Sequence, residues 1–261
     1  MGITFSVTPT MFGPVHIVIL CVVAIGAAAL FFALKSCSER TLLRFIFAVG
    51  VGMLLAEAWK QWFVPRYVYT DGPSMWFFPW QLCSMAMYGA VLLPVLKGRA
   101  RDTVTVFLCT YSLLAGTVAL LIPADMLRPQ ILLFAHGFLY HAAMIAVSAA
   151  ALRLWKRRGR VPFSPSVLLF LGLAAIAELI NVISHRIIGD IRVEANMFYI
   201  TPYYPSTQPV VHEIALAWGI VPSILLYLAA ITLGSYALYR LERLWIDKGG
   251  APSARSDAKK A

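Results

Sequence analysis

The sequence predicts an all-α membrane protein, a polytopic bundle of about seven transmembrane helices. Hydrophobic residues make up 60% of the 261 residues and charged residues only 13%, whereas a soluble domain carries about 25% charged residues. So few charges cannot cover a surface that faces water, but they suit a surface that faces lipid. The apolar runs are also long and lack period-two alternation, which excludes a β-barrel and leaves helices.

Seven apolar runs are long enough to cross a bilayer as helices, which takes about 20 residues each. We assign residues 1–247 to a single transmembrane domain. Residues 248–261 are small, polar and charged, which predicts a disordered cytoplasmic tail. The seven predicted spans, numbered in chain order, are 14–34, 41–64, 79–96, 103–122, 130–152, 166–188 and 213–239.

The distribution of Lys and Arg predicts the orientation of these spans, because cytoplasmic loops are enriched in both. The loops after spans 1, 3 and 5 and the C-terminal tail hold most of the basic residues, and the opposite loops hold only Arg66, Arg128 and Arg192. We therefore predict a multi-pass protein of the plasma membrane with its N-terminus outside and its C-terminus in the cytoplasm. The cytoplasmic set is Lys35, Arg40, Lys97, Arg99, Arg101, Arg153, Lys156, Arg157, Arg158, Arg160, Arg240, Arg243, Lys248, Arg255, Lys259 and Lys260.

The formal net charge of +10 does not indicate nucleic-acid binding, because the charges lie in short loops between apolar runs. The sequence has no Gly-rich phosphate loop and no aromatic-basic RNA motif. The four cysteines lack C-x-x-C spacing, so we expect no metal, and nothing indicates a cofactor. The expected partners are membrane phospholipids, and the sequence indicates no particular protein partner.

Several spans carry ionisable or amide side chains, each of which costs about 2.5 kcal/mol or more to insert when charged. Such groups must face the interior of the bundle and find partners there. Because span direction alternates, these residues fall at one level in the outer half, and we expect them to line a shared polar cavity. They are Glu57 and Lys60 in span 2, Gln81 and Cys83 in span 3, His136 and His141 in span 5, and Glu178, Asn181 and His185 in span 6.

Helical phase refines this expectation. Glu178, Asn181 and His185 share one face of span 6, where they serve either the cavity or hydrogen bonding between helices. Glu57 and Lys60 can pair locally at i, i+3, or act only to let the helix insert. The two histidines are five residues apart, about 140° around a helix, so we expect only one to serve the site.

Cys83 is the candidate nucleophile, although helical phase turns it away from Gln81. It lies at the start of span 3, at the level of the histidines. A thiolate is a strong nucleophile when a nearby His or cation lowers its pKa. Cys21 and Cys109 lie in apolar runs and are interpreted as small buried hydrophobes.

The run PWQLCSMAMYGAVLLP resembles the Leu-Pro-Leu-x-Leu-Cys helix opening of the YwaF-like integral membrane proteins, which include the animal transmembrane protein 164 group of acyltransferases. Three other features are similar. Glu57 ends the preceding span, and a His-bearing helix, FAHGFLYHAAMIAVSAAAL, follows two spans later. Asn196, Met197, Phe198 and Tyr199, followed by a proline, precede the last span. The resemblance covers most of the chain from span 2 to span 7.

The resemblance implies acyl transfer between lipids through an acyl thioester on Cys83, with His141 or His136 as its base. Thiol-dependent transfer or hydrolysis at the outer leaflet also needs donors for an oxyanion and a group that orients the His. Gln81, Asn181 and Asn196 are the candidate donors. The carboxylates of Glu57 and Glu178 are the candidate orienting groups, and Lys60, His185 and Tyr199 complete the supporting set.

Three other hypotheses stay open, two about the function and one about a metal site. A transporter or permease is the main alternative, because intramembrane Glu, His and Lys can relay protons or bind a substrate. Against it, the polar residues of the spans stop in the outer half, and no internal repeat is evident. A non-catalytic receptor or assembly factor fits the topology, but no loop identifies a ligand. A zinc site made by Glu178, His185 and a His of span 5 ranks below the Cys–His hypothesis.

Overall fold

A computed structural model describes residues 3–68, 75–123, 125–189 and 194–248. Over these ranges the chain is helical, and its only β-type pairing is an isolated bridge between Thr4 and Gln130. A five-residue π turn, Leu108–Ser112, joins two of the helices into one segment. The helices are α1 (Pro14–Ala33), α2 (Glu39–Tyr67), α3 (Ser84–Leu92), α4 (Gly98–Phe107), α5 (Leu113–Leu121), α6 (Ile131–Arg158), α7 (Ser164–Ile188), α8 (Val211–Trp218) and α9 (Ile220–Lys248).

Within the described ranges, six helical segments are long and apolar enough to cross a membrane. They correspond to predicted spans 1, 2, 4, 5, 6 and 7, so the prediction of a multi-pass helix bundle is confirmed. The six segments are Pro14–Ser36, Glu39–Tyr67, Gly98–Leu121, Ile131–Arg158, Ser164–Ile188 and Ile220–Lys248.

Predicted span 3 is where the structure differs from the sequence prediction. Instead of a helix over residues 79–96 it contains α3, which has nine residues and a length of about 14 Å. Prolines at 79 and 94 bracket this helix, and proline cannot donate the backbone hydrogen bond that a continuing helix needs. The helix is therefore too short to be a full span, and residues 78–83 reach it as turns.

The loops gather at two ends of the bundle because successive long helices run in opposite directions. At the basic end, residues 34–39, 93–101 and 157–163, Arg101 lies 3.1 Å and Arg158 lies 3.7 Å from the carboxylate of Glu39. At the aromatic end, residues 75–83, 122–130 and 194–211, Trp76 packs against Tyr199. That the basic end faces the cytoplasm stays a prediction, as do the plasma-membrane location and the domain bounds. Beyond Lys248 the predicted tail lies outside the described residues.

The packing of α2 against α3 and α6 places the start of α3 inside the bundle. Gly50 on α2 is in close contact with α3, since a Cβ there would come within 2.8 Å of the Ala90 Cβ. Helix α2 has 29 residues and is about 44 Å long, and α3 lies alongside its half nearer the basic end. The N-terminus of α3 therefore lies part-way along α2 rather than at the aromatic end.

Helix α1 is attached to the bundle by His16, which is fully buried. Its Nδ1 accepts a hydrogen bond from the backbone N–H of Phe12 at 2.9 Å, and its Nε2 bonds the carbonyl oxygen of Leu120 at 2.8 Å. A carbonyl only accepts, so Nε2 carries the proton and the ring is fully paired. This histidine was not singled out from the sequence, and its role is to tie α1 to α5.

Candidate functional site

A cavity of about 440 Å³ lies between α2, α3, α5, α6 and α9, in the half of the bundle next to the aromatic end. Both apolar and polar side chains line it, as expected for a site that holds a small molecule with an apolar part. The ionisable and hydrogen-bonding side chains on its wall are Glu57, Lys60, Gln81, Cys83, Ser84, Asp125, Arg128, His136, Tyr140, His141, Tyr199, Gln208 and Tyr227.

Cys83 lines this cavity from the cap position of α3, where no side chain caps the helix. Its backbone N–H bonds no other residue in the described part of the chain and acts on the Cys83 sulfur itself. The N-terminus of a helix carries partial positive charge, which stabilises a thiolate. Burial raises the pKa of the Cys83 thiol, and the Lys60 cation within electrostatic reach acts in the opposite direction. Contrary to the phase argument, Gln81 lines the same cavity, because residues 81–83 form turns rather than helix.

The imidazole of His141 lines the cavity with a defined tautomer. Its Nδ1 lies 2.7 Å from the carbonyl oxygen of Gly137, one turn back along α6. The carbonyl can only accept, so Nδ1 carries the proton and Nε2 keeps its lone pair. A neutral imidazole with a free lone pair is the form that a general base requires.

His136 also lines the cavity, so both histidines reach it from α6, and which of them serves the site stays a prediction. Its ring packs 5.8 Å from that of Trp59 and 5.6 Å from that of Tyr140, between centroids. Its Nε2 is buried and has no hydrogen-bond partner among the described residues. The cavity is wide enough to contact two faces of α6, with His136 more than one helical turn closer to the aromatic end than His141.

Glu57 and Lys60 form the predicted pair, with 2.8 Å between Nζ and a carboxylate oxygen. The second carboxylate oxygen of Glu57 accepts from the Gln61 amide at 2.7 Å. The same amide nitrogen donates to the backbone oxygen of Phe77, so α2 also holds the segment that leads to α3. Gln61 was not identified from the sequence, although it lies i+4 from Glu57, where such a contact is expected.

Replacing Glu57 with alanine is expected to lower the free energy of unfolding by about 3–5 kcal/mol, because Lys60 is left buried without its counter-charge. The side chains of Glu57 and Lys60 are only 6% and 17% exposed. Thermal unfolding in detergent measures the effect. The double variant Glu57→Ala, Lys60→Met should recover much of it, and Glu39→Ala, which breaks a more exposed pair, should cost about 1 kcal/mol or less. Wild-type stability of Glu57→Ala would show that the pair is not structurally required.

Gln81 and Asn181 hold the segment 194–201 rather than presenting their amides to the cavity. The Gln81 side chain donates to the Asn196 carbonyl at 2.9 Å and accepts from the Phe198 N–H at 2.8 Å. Asn181 accepts from the Met197 N–H at 2.6 Å and donates to the Met197 carbonyl at 3.2 Å. Both amides are thus committed to backbone groups.

These bonds support a strained turn that carries Tyr199 to the cavity. Phe198 and Tyr199 have φ of +56° and +58°, a conformation that costs about 1–3 kcal/mol each for side-chain-bearing residues. The Tyr199 hydroxyl donates to an Asp125 carboxylate oxygen at 2.6 Å. Burial and the neighbouring Asp125 charge raise the pKa of Tyr199, so the hydroxyl keeps its proton. Asn196 itself accepts from the Thr201 N–H at 3.1 Å and does not line the cavity.

The other predicted residues of span 6 lie away from the cavity. His185 contacts the Glu194 carboxylate at 2.7 Å and stacks on the Tyr203 ring with 3.5 Å between centroids. Glu178 lies 3.4 Å from the Asn181 amide and lines a second, apolar cavity of about 330 Å³. The hypothetical zinc set is therefore not assembled, and in the described part of the chain no three His, Cys, Asp or Glu residues are grouped as metal ligands.

Polar groups in the basic half of the bundle were missed by the sequence analysis. Glu242 on α9 is 7% exposed, and neither of its carboxylate oxygens has a hydrogen-bond partner among the described residues. It lies within electrostatic reach of Cys109, which belongs to the π turn 108–112. The sequence placed Glu242 beyond span 7, at a membrane surface, so its burial had no sequence signal. At the aromatic end, Asp125 was also missed by the sequence analysis, because its position in a loop predicts no contact.

Comparisons with known proteins show which family this chain belongs to. No curated protein and no solved structure matches it significantly. A family model described as the TMEM164 family matches residues 11–239, which include every residue that lines the cavity. The predicted relation to the transmembrane protein 164 group is thereby confirmed, and the wider YwaF-like relation stays a prediction. The chain belongs to the TMEM164 family.

Proposed function

We propose that the protein is a lipid acyltransferase or acyl hydrolase that works through a thioester on Cys83. One observation carries the proposal: Cys83 lines the same partly apolar cavity as His141, whose Nε2 is free to accept a proton. The apolar wall suits the acyl chain of a phospholipid, and the polar groups at one side suit its ester.

In the first step the imidazole Nε2 of His141 takes the thiol proton of Cys83, and the thiolate attacks the ester carbonyl carbon. A carbon–sulfur bond forms and the carbon–oxygen bond of the ester breaks. The leaving alkoxide of the lysophospholipid takes the proton from the imidazolium. The products of this step are an acyl thioester on Cys83 and a free lysophospholipid.

In the second step His141 removes a proton from the hydroxyl of an acceptor lysophospholipid, which attacks the thioester carbon. The carbon–sulfur bond breaks, and the thiolate takes the proton back from the imidazolium. If water replaces the acceptor, the same step releases a fatty acid and the reaction is hydrolysis. Neither route changes the number of electrons, so no cofactor is required.

The oxyanion that forms in both steps needs hydrogen-bond donors placed beside the carbonyl. The side-chain amides of Gln81 and Asn181 are bonded to backbone groups, and Asn196 does not line the cavity. We assign the role instead to the backbone N–H of Cys83, which bonds no other residue within the described ranges. The partial positive charge of the α3 N-terminus favours an anion at the same place.

In this proposal the cavity acts on the outer leaflet of the plasma membrane, because the positive-inside rule makes the aromatic end external. We assign supporting roles to four side chains that line the cavity. Lys60 stabilises the thiolate, Glu57 fixes Lys60, and Tyr199 with Asp125 covers one side of the cavity.

One observation favours the alternative of a transporter. Buried polar groups also occur below the cavity, where the Ser112 and Ser235 hydroxyls near mid-depth and the Glu242 oxygens in the basic half have no partner within the described ranges. A conduit needs polar groups through its whole depth, and these residues extend the polar series beyond the cavity.

Reconstituted liposomes distinguish the two functions. Liposomes with purified protein would contain a phospholipid with an isotope-labelled acyl chain, an unlabelled lysophospholipid and an internal pH-sensitive dye. We expect label in the re-acylated lysophospholipid or in free fatty acid, no dye response to a pH step beyond that of empty liposomes, and no label transfer in empty liposomes. Proton uptake without any acyl product would overturn the proposal in favour of transport.

A further inference from the structure

We infer that Leu114 and Gly234 form the floor of the acyl-chain part of the cavity and determine which acyl-chain lengths the protein accepts. This inference rests on the proposed function, because it names the part of the substrate that the same cavity selects. It is carried by the order of the lining residues along α5 and α9 and by the contact that closes the cavity between them.

The apolar part of the cavity is a slot between α5 and α9. Val118 and Ile122 on α5 line it, yet they are 45% and 43% exposed on the surface of the bundle. A residue that lines a cavity and also faces outward marks its opening, which here faces lipid. The slot is therefore open sideways between the two helices, and an acyl chain can enter it from the bilayer without crossing water.

The slot ends at Leu114 and Gly234. Helix α5 runs toward the aromatic end and α9 runs away from it, so these are the lining residues of each helix nearest the basic end. They also meet, because a Cβ placed on Gly234 would come within 3.0 Å of the Leu114 Cδ2. The absence of a side chain at 234 lets the leucine close the slot from the opposite helix.

The thiol stands toward the other end of the slot. Cys83 lies two residues after Gln81, whose side chain hydrogen-bonds the backbone of Asn196 and Phe198 at the aromatic end. From Tyr227 to Gly234 helix α9 rises about 10 Å, and from Ile122 to Leu114 helix α5 spans about 12 Å. The walls of the slot between its aromatic end and its floor are therefore long enough to hold an acyl-chain segment of this length.

Two substitutions should move the floor in opposite directions. Leu114→Ala removes most of the side chain that closes the slot and deepens it. Gly234→Val adds a branched side chain where even a Cβ is already close to Leu114, and makes the slot shallower. One methylene gained or lost in an apolar pocket changes selectivity by about tenfold or more.

The test is a competition between octanoyl and palmitoyl phospholipids as acyl donors in the same liposomes. We expect Leu114→Ala to shift the product ratio toward palmitoyl and Gly234→Val toward octanoyl, each by about tenfold. Leu233→Ala, on the exposed face of α9, and Gly52→Ala, where a Cβ meets nothing within 4 Å, are matched controls that should leave the ratio unchanged. An unchanged ratio in both floor variants would overturn the inference.

A second measurement tests the floor without acyl transfer. Octyl and hexadecyl methanethiosulfonates convert the Cys83 thiolate to a mixed disulfide and release methanesulfinate, and the rate at Cys83 is read by peptide mass spectrometry. Leu114→Ala should raise the hexadecyl-to-octyl rate ratio, and Gly234→Val should lower it. Shifted rates without acyl transfer by the wild type would retain the floor and reject the proposed function. Acyl transfer by the wild type, with no shift of either ratio in the two floor variants, would reject the floor and retain the proposed function.

Discussion

Replacing Cys83 with alanine is expected to reduce acyl transfer by roughly 10⁴-fold or more, the scale on which loss of a nucleophile acts in enzymes with a nucleophile–base pair. Alanine removes the sulfur atom that carries the acyl group in the proposed mechanism and makes no other change to the sequence at the start of α3. The measurement is the initial rate of labelled acyl transfer in liposomes. Cys83→Ser should also be strongly impaired, because an alcohol ionises far less readily than a thiol.

Cys21→Ala is the matched control for this experiment. Cys21 is exposed on α1, so its interpretation as a buried hydrophobe is wrong, and it does not line the cavity, so its loss should leave the rate unchanged. Gel filtration in detergent shows whether each variant remains folded. A Cys83→Ala variant that is folded and keeps the wild-type rate would rule out a thioester mechanism.

Replacing His141 with alanine is expected to slow acylation of Cys83 by about 10²–10⁴-fold, the usual contribution of a general base. The reason is its tautomer, since the Nδ1 bond to Gly137 leaves Nε2 as the acceptor. His136→Ala should have a smaller effect. In the proposed mechanism His136 is a neighbour of the charged pair Lys60 and Glu57 and is not the base. Single-turnover acylation rates compare the two variants.

The order of the two effects decides between the histidines. A larger loss in His136→Ala than in His141→Ala would transfer the role of base to His136, whose Nε2 is buried and unpartnered within the described ranges. Equal wild-type rates in both variants would exclude a histidine base. Thermal unfolding of both proteins separates loss of catalysis from loss of structure.

Most of the fold could be predicted because long apolar runs have few structural solutions in lipid. Six predicted spans correspond to helices of sufficient length. The exception, residues 79–96, had the composition of a span but contains two internal breaks at proline, and only nine residues form the helix α3. Composition alone does not show at what depth in the bundle the helix within such a segment begins.

The candidate site could be predicted in part. The energetic cost of burying polar groups was enough to predict that Glu57, Lys60, Cys83, His136 and His141 line one cavity. Glu178, Asn181 and His185 share one face of α7, as predicted from helical phase. That face contacts the segment 194–204 rather than the cavity, which corresponds to the alternative of structural hydrogen bonding.

The remaining features depend on tertiary contacts that leave no periodic signal. Gln81 looks like a ligand-binding amide, yet both of its polar atoms pair with a backbone segment more than 100 residues away in sequence. The contact of Tyr199 with Asp125 joins two loops, and loops have no period from which a partner could be inferred. The meeting of Leu114 with Gly234 requires the relative positions of α5 and α9.

The most direct test of the central claim is the search for an acyl group on Cys83 itself. Protein incubated with palmitoyl phospholipid and rapidly quenched should show one added palmitoyl group on the peptide that contains Cys83. Neutral hydroxylamine should remove that group, and Cys83→Ala should lack it. Acyl transfer that proceeds while this peptide stays unmodified, or an acyl group carried by another residue, would contradict the account.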